Sequence, residues 1–186
     1  MKKIIEIREV MRIEGHLNLE IIIDGHKIQT RAAAREGTRI LEKILIGRNY
    51  WEIPEIVSRM CGVCSVIHRV TAIIAMENAL GIKPSEDVQS IRELVVIGGH
   101  IQSHILHLFY FVMPDCLNIG SIIGNNHKEL STIIRRVMNV KKWANNVIER
   151  LCGRAIHPVS LVVGGLSKLP GRIDLLRILE KTKKIK

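Results

Sequence analysis

Cys61 and Cys64 form a Cys-Gly-Val-Cys motif, and His68 follows four residues after the second cysteine. Two thiols this close can chelate one soft or borderline metal ion, and the glycine permits a tight backbone on which both sulfurs converge. A helix that begins at this motif would stabilise thiolate, and an imidazole one turn after Cys64 can reach toward its sulfur. The motif therefore predicts either half of a metal site or a dithiol redox pair.

The rest of the chain contains no second Cys-x-x-Cys motif, although a closed tetrahedral metal site usually needs four ligands. A thioredoxin-like dithiol needs a strand directly upstream, whereas residues 51–59 are predicted to be helical with Pro54 in the first turn. Two inert buried cysteines are a third interpretation. Cys116 and Cys152 have no partner nearby in sequence, so both are predicted to be small buried hydrophobic side chains.

Two further groups of polar residues could take part in chemistry. Glu14 lies in an Arg-Ile-Glu-Gly-His motif over residues 12–16, where an acid beside a histidine could relay protons, although isolated charges near strands are usually surface groups. His100, His104 and His107 share one helix face by their spacing. They could bind a metal, but such a stripe is more often a set of hydrogen-bonded interior histidines, which we expect here.

The composition is that of an ordinary globular protein. The 186 residues suffice for one domain, of which 47% are hydrophobic and 25% charged, while only 3% are aromatic, so aliphatic side chains must fill the core. The net charge of +10 is attributed to solvated helical faces and a basic C-terminal segment, because no nucleic-acid motif accompanies it. Sparse cysteines and the lack of a signal-peptide pattern predict a cytoplasmic protein.

The elements that must position these residues can be predicted from periodicity and punctuation. Residues 4–8 and 17–23 are predicted strands, and Asp24-Gly25 predicts a hairpin with a type I′ turn, in a small sheet that ends near Arg35. Helices are predicted over residues 39–47 with Thr38 as cap, over 52–59, from the junction at Cys61–Cys64 to Gly81, from Ser85 to Pro114, over 128–151, and from 172 onward.

This order of elements predicts an α+β, mostly helical fold in which a small N-terminal antiparallel sheet leads into a helical bundle. One stretch, residues 94–114, contains no acid, Lys or Arg and could be mistaken for a membrane span. Its three histidines, Gln102 and Ser103 would be costly in hydrocarbon. We therefore predict a core helix there, and no membrane span.

Four motifs in a fixed order make the chain resemble the N-terminal part of the large subunit of nickel–iron hydrogenases. They are Arg-Ile-Glu-Gly-His at 12–16, Arg-x-Cys-Gly-x-Cys-x-x-x-His at 59–68, the stretch 104–115 ending in Phe-Tyr-Phe-Val-Met-Pro-Asp, and Gly-Arg-x-x-His-Pro at 153–158 with Gly-Gly at 164–165. Each motif alone would be weak, but together they span most of residues 8–170.

The resemblance implies a role for five residues. Cys61 would be a terminal nickel ligand, Cys64 would bridge nickel and iron, and His68 would hydrogen-bond a bridging sulfur. Glu14 would be the first proton acceptor, and Glu42 would be a carboxylate ligand of a magnesium ion. The family interconverts H2 with two protons and two electrons, its iron carries cyanide and carbon monoxide, and the iron–sulfur clusters lie in a small partner subunit rather than in this chain.

The chain departs from the family pattern because the second Cys-x-x-Cys, near the C-terminus of the longer family members, is missing. We therefore expect a single but truncated hydrogenase large-subunit domain over residues 1–186. It would be a truncated gene product, the product of a split gene or a fragment of an incomplete assembly, and it would be inactive alone. The alternatives are a subunit related to respiratory complex I, a degenerate subunit kept for binding a partner, and a stand-alone Cys-x-x-Cys metal or redox module. Retention of both cysteines disfavours the complex I relative. The electron acceptor, the hydrogenase subgroup and the oligomeric state do not follow from the sequence.

Overall fold

A computed structural model of the chain describes residues 2–10, 12–34, 39–122 and 128–185. The chain divides into two compact units, Met1–Arg48 and Asn49–Lys186. The single domain expected over residues 1–186 remains a prediction.

The N-terminal unit is a three-stranded antiparallel sheet followed by a short helix. Its elements are β1 (Lys2–Ile7), β2 (Leu17–Asp24), β3 (Lys27–Ala34) and α1 (Ile40–Leu45). β2 is the central strand, pairing with β1 from Lys2 opposite Asp24 and with β3 from Leu17 opposite Ala34. The predicted sheet is confirmed, whereas the predicted cap of α1, Thr38, lies outside the described residues.

The β2–β3 turn differs from the predicted type. Asp24 pairs with Lys27, so Gly25 and His26 form the two-residue loop, and only the glycine has a positive φ, of 57°. Type I′ requires a positive φ at both central residues, whereas type II′ requires it at the first, where glycine is preferred. The hairpin therefore matches a type II′ turn.

The second unit is helical and contains one small β-hairpin. Its elements are α2 (Ile53–Ser58), α3 (Ser65–Leu80), α4 (Glu86–Ile105), a π-helical segment (Leu106–Val112), α5 (Met113–Cys116), α6 (Lys128–Cys152), β4 (Leu161–Val162), β5 (Gly165–Leu166) and α7 (Arg172–Lys184). Helices α3, α4 and α6 enclose the aliphatic core, which consists of Val66, Val70, Ile73, Val95, Val147, Ile148 and Leu151, with Cys152 and Leu161 beside them. This agrees with the predicted mostly helical α+β fold.

Two adjacent glycines allow α4 to approach its neighbours. A Cβ at Gly98 would lie 3.0 Å from Ile148 Cγ1 on α6, and a Cβ at Gly99 would lie 3.2 Å from Val66 on α3. Both distances are tighter than ordinary van der Waals contact, so larger side chains here would push the helices apart. The glycine pair thus sets the spacing at the centre of the core.

The predicted helix boundaries at Gly81, Ser85 and Gly153 are confirmed. Ser85 caps α4 by accepting a hydrogen bond from the Val88 N–H at 3.5 Å, while Gly81 and Gly153 adopt left-handed conformations with φ of 68° and 80° at the ends of α3 and α6. Glycine is favoured at such positions because it carries no Cβ penalty.

The helical run after α4 continues past Pro114, where a stop was predicted. Seven π-helical residues shift the hydrogen-bond register, so that Pro114 falls in the first turn of α5, where its missing N–H is no loss. By length and composition alone, the run Glu86–Cys116 could cross a membrane. An apolar stretch of 18 residues within it has a mean hydropathy of 1.3, and 28% of that stretch is buried inside the protein. Core helices of soluble proteins pass the same test, and the predicted core helix remains a prediction.

The prediction of interior histidines on this helical run is wrong. His100, His104 and His107 are all exposed, and the first two stack with ring centroids 6.1 Å apart. The opposite face of the helix is buried instead, with Gly98, Gly99 and Gln102 packed inside. Periodicity alone could not separate these faces, since small and polar residues occupy the buried one.

Candidate functional site

The two cysteines of the motif lie in a six-residue loop between Ser58, the last residue of α2, and Ser65, the first residue of α3. Cys64 is the N-cap residue of α3, as the sequence predicted for a motif at a helix start. Its N–H donates to Cys61 Sγ at 3.2 Å, and a disulfide joins the two residues with their Cα atoms 5.5 Å apart. The loop therefore directs both sulfurs to one point beside the positive end of a helix.

This disulfide is the two-electron-oxidised form of the pair that would bind a metal. Metal ligation requires thiolates, so these two sulfur atoms can bind a metal ion only after the disulfide is reduced. Cys61 is 5% exposed, and Cys64 is half-buried, which leaves one side of the pair accessible. Within the described part of the chain, no three His, Cys, Asp or Glu side chains cluster closely enough to hold a metal. Once reduced, Cys61 and Cys64 can therefore occupy two coordination positions of a metal ion.

Gly62 does not play the role proposed for it from sequence. Its φ is outside the left-handed region, and an added Cβ would have nothing within 4 Å. The convergence of the sulfurs is instead produced by the helix start at Cys64 and by the hydrogen bond to Cys61 Sγ.

His68 lies one helical turn beyond the motif, as predicted. Its N–H donates to Cys64 O at 3.1 Å, which continues the helix from the N-cap, and its side chain is half-buried. Among the described residues, none is found hydrogen-bonded to its imidazole. The spacing places His68 and Cys64 on the same helix face, and the role of His68 toward a bridging sulfur remains a prediction.

The two predicted carboxylates belong to the N-terminal unit. Glu14 is exposed in the bend between β1 and β2. Glu42 lies in α1 with 65% of its side chain exposed, and it accepts a hydrogen bond from Arg39 Nε at 3.1 Å. Their roles toward protons and magnesium remain predictions.

The two cysteines outside the motif differ from each other. Cys152 is fully buried as predicted, and burial raises the pKa of its thiol to about 12. Cys116 is exposed near the end of α5, so the prediction that it is buried is wrong. The helical run extends past Pro114 and carries Cys116 to the surface.

A buried arginine next to the motif was missed from sequence. Arg69 follows His68 on α3, and its guanidinium donates to Leu161 O at 2.9 Å and to Val159 O at 3.1 Å. It also donates to Glu55 Oε2 on α2 at 2.5 Å. Arg69 therefore joins α2, α3 and the segment leading into β4.

A second buried arginine lies on α4 and forms an ion pair with a glutamate of α3. Arg92 of α4 donates two hydrogen bonds to Glu77 of α3, at 2.8 and 2.7 Å, and a third to Val162 O at 3.0 Å. The Gly164 N–H donates to Glu77 Oε1 at 2.7 Å. Together these contacts fix the β4–β5 hairpin to α3 and α4.

The arginines keep the two partner carboxylates ionised. Burial opposes ionisation of Glu77, but hydrogen bonds from Arg92 and from the Gly164 N–H outweigh it, so its pKa lies below the usual value. Burial likewise opposes ionisation of Glu55, and its pKa is lowered by hydrogen bonds from Arg69 and Arg59.

A sequence signal for the buried charges did exist. Val66, Val70, Ile73 and Glu77 recur at helical spacing, so the carboxylate falls on the apolar face of α3. A charge on such a face must be paired, because an isolated buried charge is too costly. The partner could not be identified from sequence, since Arg92 is separated from Glu77 by the turn between α3 and α4.

Comparison with known proteins gives a consistent result. The family model described as nickel-dependent hydrogenase matches residues 39–154. Two relatives from Pyrococcus furiosus are sulfhydrogenase 2 subunit alpha, 34% identical over 185 residues, and sulfhydrogenase 1 subunit alpha, 38% identical over 183 residues. These alignments cover 98% and 96% of this chain but 44% and 41% of the relatives, so the chain spans less than half their length.

Solved structures support the same similarity. The chain matches an NAD+-reducing [NiFe]-hydrogenase in the H2-reduced state with a TM-score of 0.82 and 28% identity, over 98% of this chain and 42% of that one. A Ni-Fe-Se hydrogenase from Desulfovibrio vulgaris Hildenborough matches in fold, with a TM-score of 0.75 and 24% identity, over 41% of its chain.

Proposed function

Because the chain belongs to the nickel-dependent hydrogenase family, we propose that it forms the front part of the catalytic subunit of a nickel–iron hydrogenase. The complete enzyme interconverts H2 with two protons and two electrons. The observation that carries this proposal is the convergence of the Cys61 and Cys64 sulfurs at the start of α3. Two thiolates at one point can bind a soft or borderline metal ion, a class that includes nickel and iron.

In this proposal the two sulfurs have different roles. Cys61 would be a ligand of nickel, and Cys64 would be a ligand of both nickel and iron. Among the described residues no third His, Cys, Asp or Glu joins this pair, and in this proposal the remaining two thiolates would belong to a second Cys-x-x-Cys motif that these 186 residues do not contain. When bound, the nickel–iron centre, with cyanide and carbon monoxide on its iron, supplies the hydrogen chemistry, while this chain holds two of its ligands.

His68 and Glu14 would act through protons and hydrogen bonds. His68 lies one turn after Cys64 and would donate a hydrogen bond to the bridging sulfur, which lowers the electron density on that ligand. Glu14 would accept the first proton that leaves the site. Glu42 would be a ligand of a magnesium ion, and its exposed carboxylate leaves room for further oxygen ligands.

The partner in this proposal is an iron–sulfur small subunit that carries the electrons away, with further electron-transfer subunits possible. The cysteine loop would face it, because electrons must leave close to the metal. We place the enzyme in the cytoplasm, with neither a nucleic-acid partner nor a membrane span in this chain.

One observation favours a second candidate function, a stand-alone dithiol redox module. Cys61 and Cys64 form a disulfide, as the oxidised state of such a module would require. The segment directly upstream, however, is helix α2 rather than the strand that a thioredoxin-like motif follows. The hydrogenase proposal is therefore preferred.

Nickel retention tests the proposal. The complete hydrogenase, purified with its partner subunits, should hold nickel, and Cys64→Ala should abolish that nickel content, whereas Cys116→Ala should leave it unchanged because Cys116 is exposed on another element. Nickel retained in the Cys64→Ala enzyme would refute the ligand assignment. Sequencing the source gene beyond the codon for residue 186 should reveal a second Cys-x-x-Cys in the same or an adjacent frame.

A further inference from the structure

His157 connects the two ends of the cysteine loop. Its ring nitrogen Nδ1 lies 2.7 Å from the carbonyl oxygen of Ser58, the last residue of α2. Its backbone N–H donates to Ser65 Oγ, on the first residue of α3, at 3.1 Å. Both serines are buried, with 0% and 1% exposure, so water does not compete strongly for these two hydrogen bonds.

The hydrogen bond to Ser58 fixes the proton on the imidazole. A carbonyl oxygen can only accept, so Nδ1 must carry the hydrogen and donate it. The neutral ring suffices for this bond, and it then leaves Nε2 as an acceptor.

The backbone of His157 is held in an uncommon conformation. Its φ is 54°, in the left-handed region that residues other than glycine rarely adopt, and Pro158 follows it. The next residues are fixed from both sides: the N–H groups of Val159 and Ser160 both donate to Cys152 O, at 3.0 and 3.2 Å, and Arg69 binds the Val159 carbonyl. Such conformations persist only where surrounding contacts determine them, and they often mark functional positions.

We propose that His157 is a positioning residue for the two metal-ligand cysteines. By holding Ser58 and Ser65 at a fixed separation, it sets the span that the loop carrying Cys61 and Cys64 must close. It has no hydrogen bond to either sulfur among the described contacts, so it acts through the loop ends. This inference rests on the proposed function for its purpose, but the loop geometry can be measured without nickel.

The dithiol–disulfide equilibrium of the full 186-residue chain measures this geometry. In the reaction, the reduced pair and one glutathione disulfide give the protein disulfide and two reduced glutathiones, so electrons and protons balance. The equilibrium constant reports how well the loop brings Cys61 and Cys64 together. It can be read by quenching, peptide mapping and mass spectrometry in a Cys116→Ala background, which removes the exposed competing thiol.

Two substitutions at one position separate the side chain from the backbone. Glycine and asparagine both tolerate a left-handed φ, but only asparagine keeps an N–H donor near the position of Nδ1. We expect His157→Gly to lower the equilibrium constant about fivefold, as for the loss of one ordinary hydrogen bond. His157→Asn should stay within about twofold of wild type, because the donor is retained.

Controls keep the result specific to the loop. Asn118 also has a positive φ, of 52°, but lies after α5, so Asn118→Gly should leave the equilibrium constant unchanged. Equal constants for the glycine variant, the asparagine variant and wild type, with native circular dichroism, would overturn the proposal. If His157→Gly does not fold, Ser65→Ala removes the second bond alone and should lower the constant; an unchanged constant would also overturn it.

A second measurement separates this inference from the proposed function. In the complete hydrogenase, His157→Gly should lower nickel content at limiting nickel supply, and His157→Asn should restore it. A wild-type enzyme without nickel would refute the proposed function while leaving the thiol result valid. Suppose instead that the wild-type enzyme holds nickel, and that His157→Gly matches it in both nickel content and thiol equilibrium constant. That result would refute only the role of His157.

Discussion

Replacing Glu77 with glutamine should destabilise the helical unit strongly, although the two side chains have the same shape. The carboxylate accepts three hydrogen bonds: Oε2 from Arg92, and Oε1 from both Arg92 and the Gly164 N–H. An amide has one oxygen and one NH2 group. In either orientation the NH2 group would face at least one N–H donor, and the buried guanidinium would lose its counter-charge.

The magnitude follows from burial. Both side chains of the pair are almost completely buried, at 6% exposure for Arg92 and 5% for Glu77. Removing one partner of a buried ion pair costs about 3–5 kcal/mol, because the other charge is left uncompensated. Arg92 keeps its bond to Val162 O, so we expect a loss of about 3 kcal/mol. For a chain of this length that corresponds to a fall in Tm of about 6–12 °C.

Urea unfolding of the full chain, followed by circular dichroism at pH 7, measures this loss. Glu93→Gln is the matched control, because Glu93 is an exposed carboxylate directly after Arg92 and should change the free energy of unfolding by less than about 0.5 kcal/mol. A loss below about 1 kcal/mol for Glu77→Gln would contradict the account of a buried, obligatory pair.

The pH dependence of the same variant provides a second check. The folded-state pKa of Glu77 lies below its ordinary 4.5, so the folded protein binds fewer protons on this group than the unfolded chain does in that range. The stabilisation is therefore fully present above about pH 4.5 and is lost as the pH falls through the folded-state pKa. The difference between wild type and Glu77→Gln should be constant near neutrality and shrink in acid.

Three other predictions concern separate parts of the chain. Iodoacetamide at pH 8 should modify the exposed Cys116 in the folded protein and leave Cys152 unmodified until denaturant is added. Burial raises the pKa of Cys152 to about 12, so little thiolate is available there, and peptide mapping measures which cysteine is modified. Gly98→Ala should cost about 1–3 kcal/mol in urea unfolding, since its Cβ would lie 3.0 Å from a side-chain carbon of α6, whereas Gly120→Ala has open space and should cost far less. Glu14→Gln in the complete hydrogenase should slow hydrogen turnover without loss of nickel, and wild-type turnover would remove Glu14 from the proton route.

The sequence was sufficient for most element positions because local chemistry determines them. Ser85, Gly81 and Gly153 end or begin helices through their own side chain or lack of one, so no tertiary information is needed. The end of the long helical run was misplaced because a shift to π-helical hydrogen bonding relocated Pro114 within its helix. That shift carries no recognised residue pattern.

The site was predicted less completely than the fold. The spacing of Cys61 and Cys64 and their position at the start of a helix followed from the sequence. The contacts that hold the loop did not, because they join residues far apart in the chain, such as Arg69 with Leu161 and His157 with Ser58. The three histidines of α4 and the π-helical segment were misassigned for a related reason, since helical spacing defines a face but not which face is buried.

Helix α3 links the cysteine loop to the buried ion pair, yet the two should respond separately to mutation. Cys64 begins this helix and Glu77 lies 13 residues later, which is about 20 Å along a helix axis. Glu77→Gln should therefore lower the free energy of unfolding while leaving the thiol equilibrium of the folded protein near its wild-type value. His157→Gly should change that equilibrium about fivefold with a much smaller loss of stability than the buried pair, because it removes one ordinary hydrogen bond. If both substitutions changed both quantities in proportion, the loop would have no positioning device of its own, and its geometry would simply follow global stability.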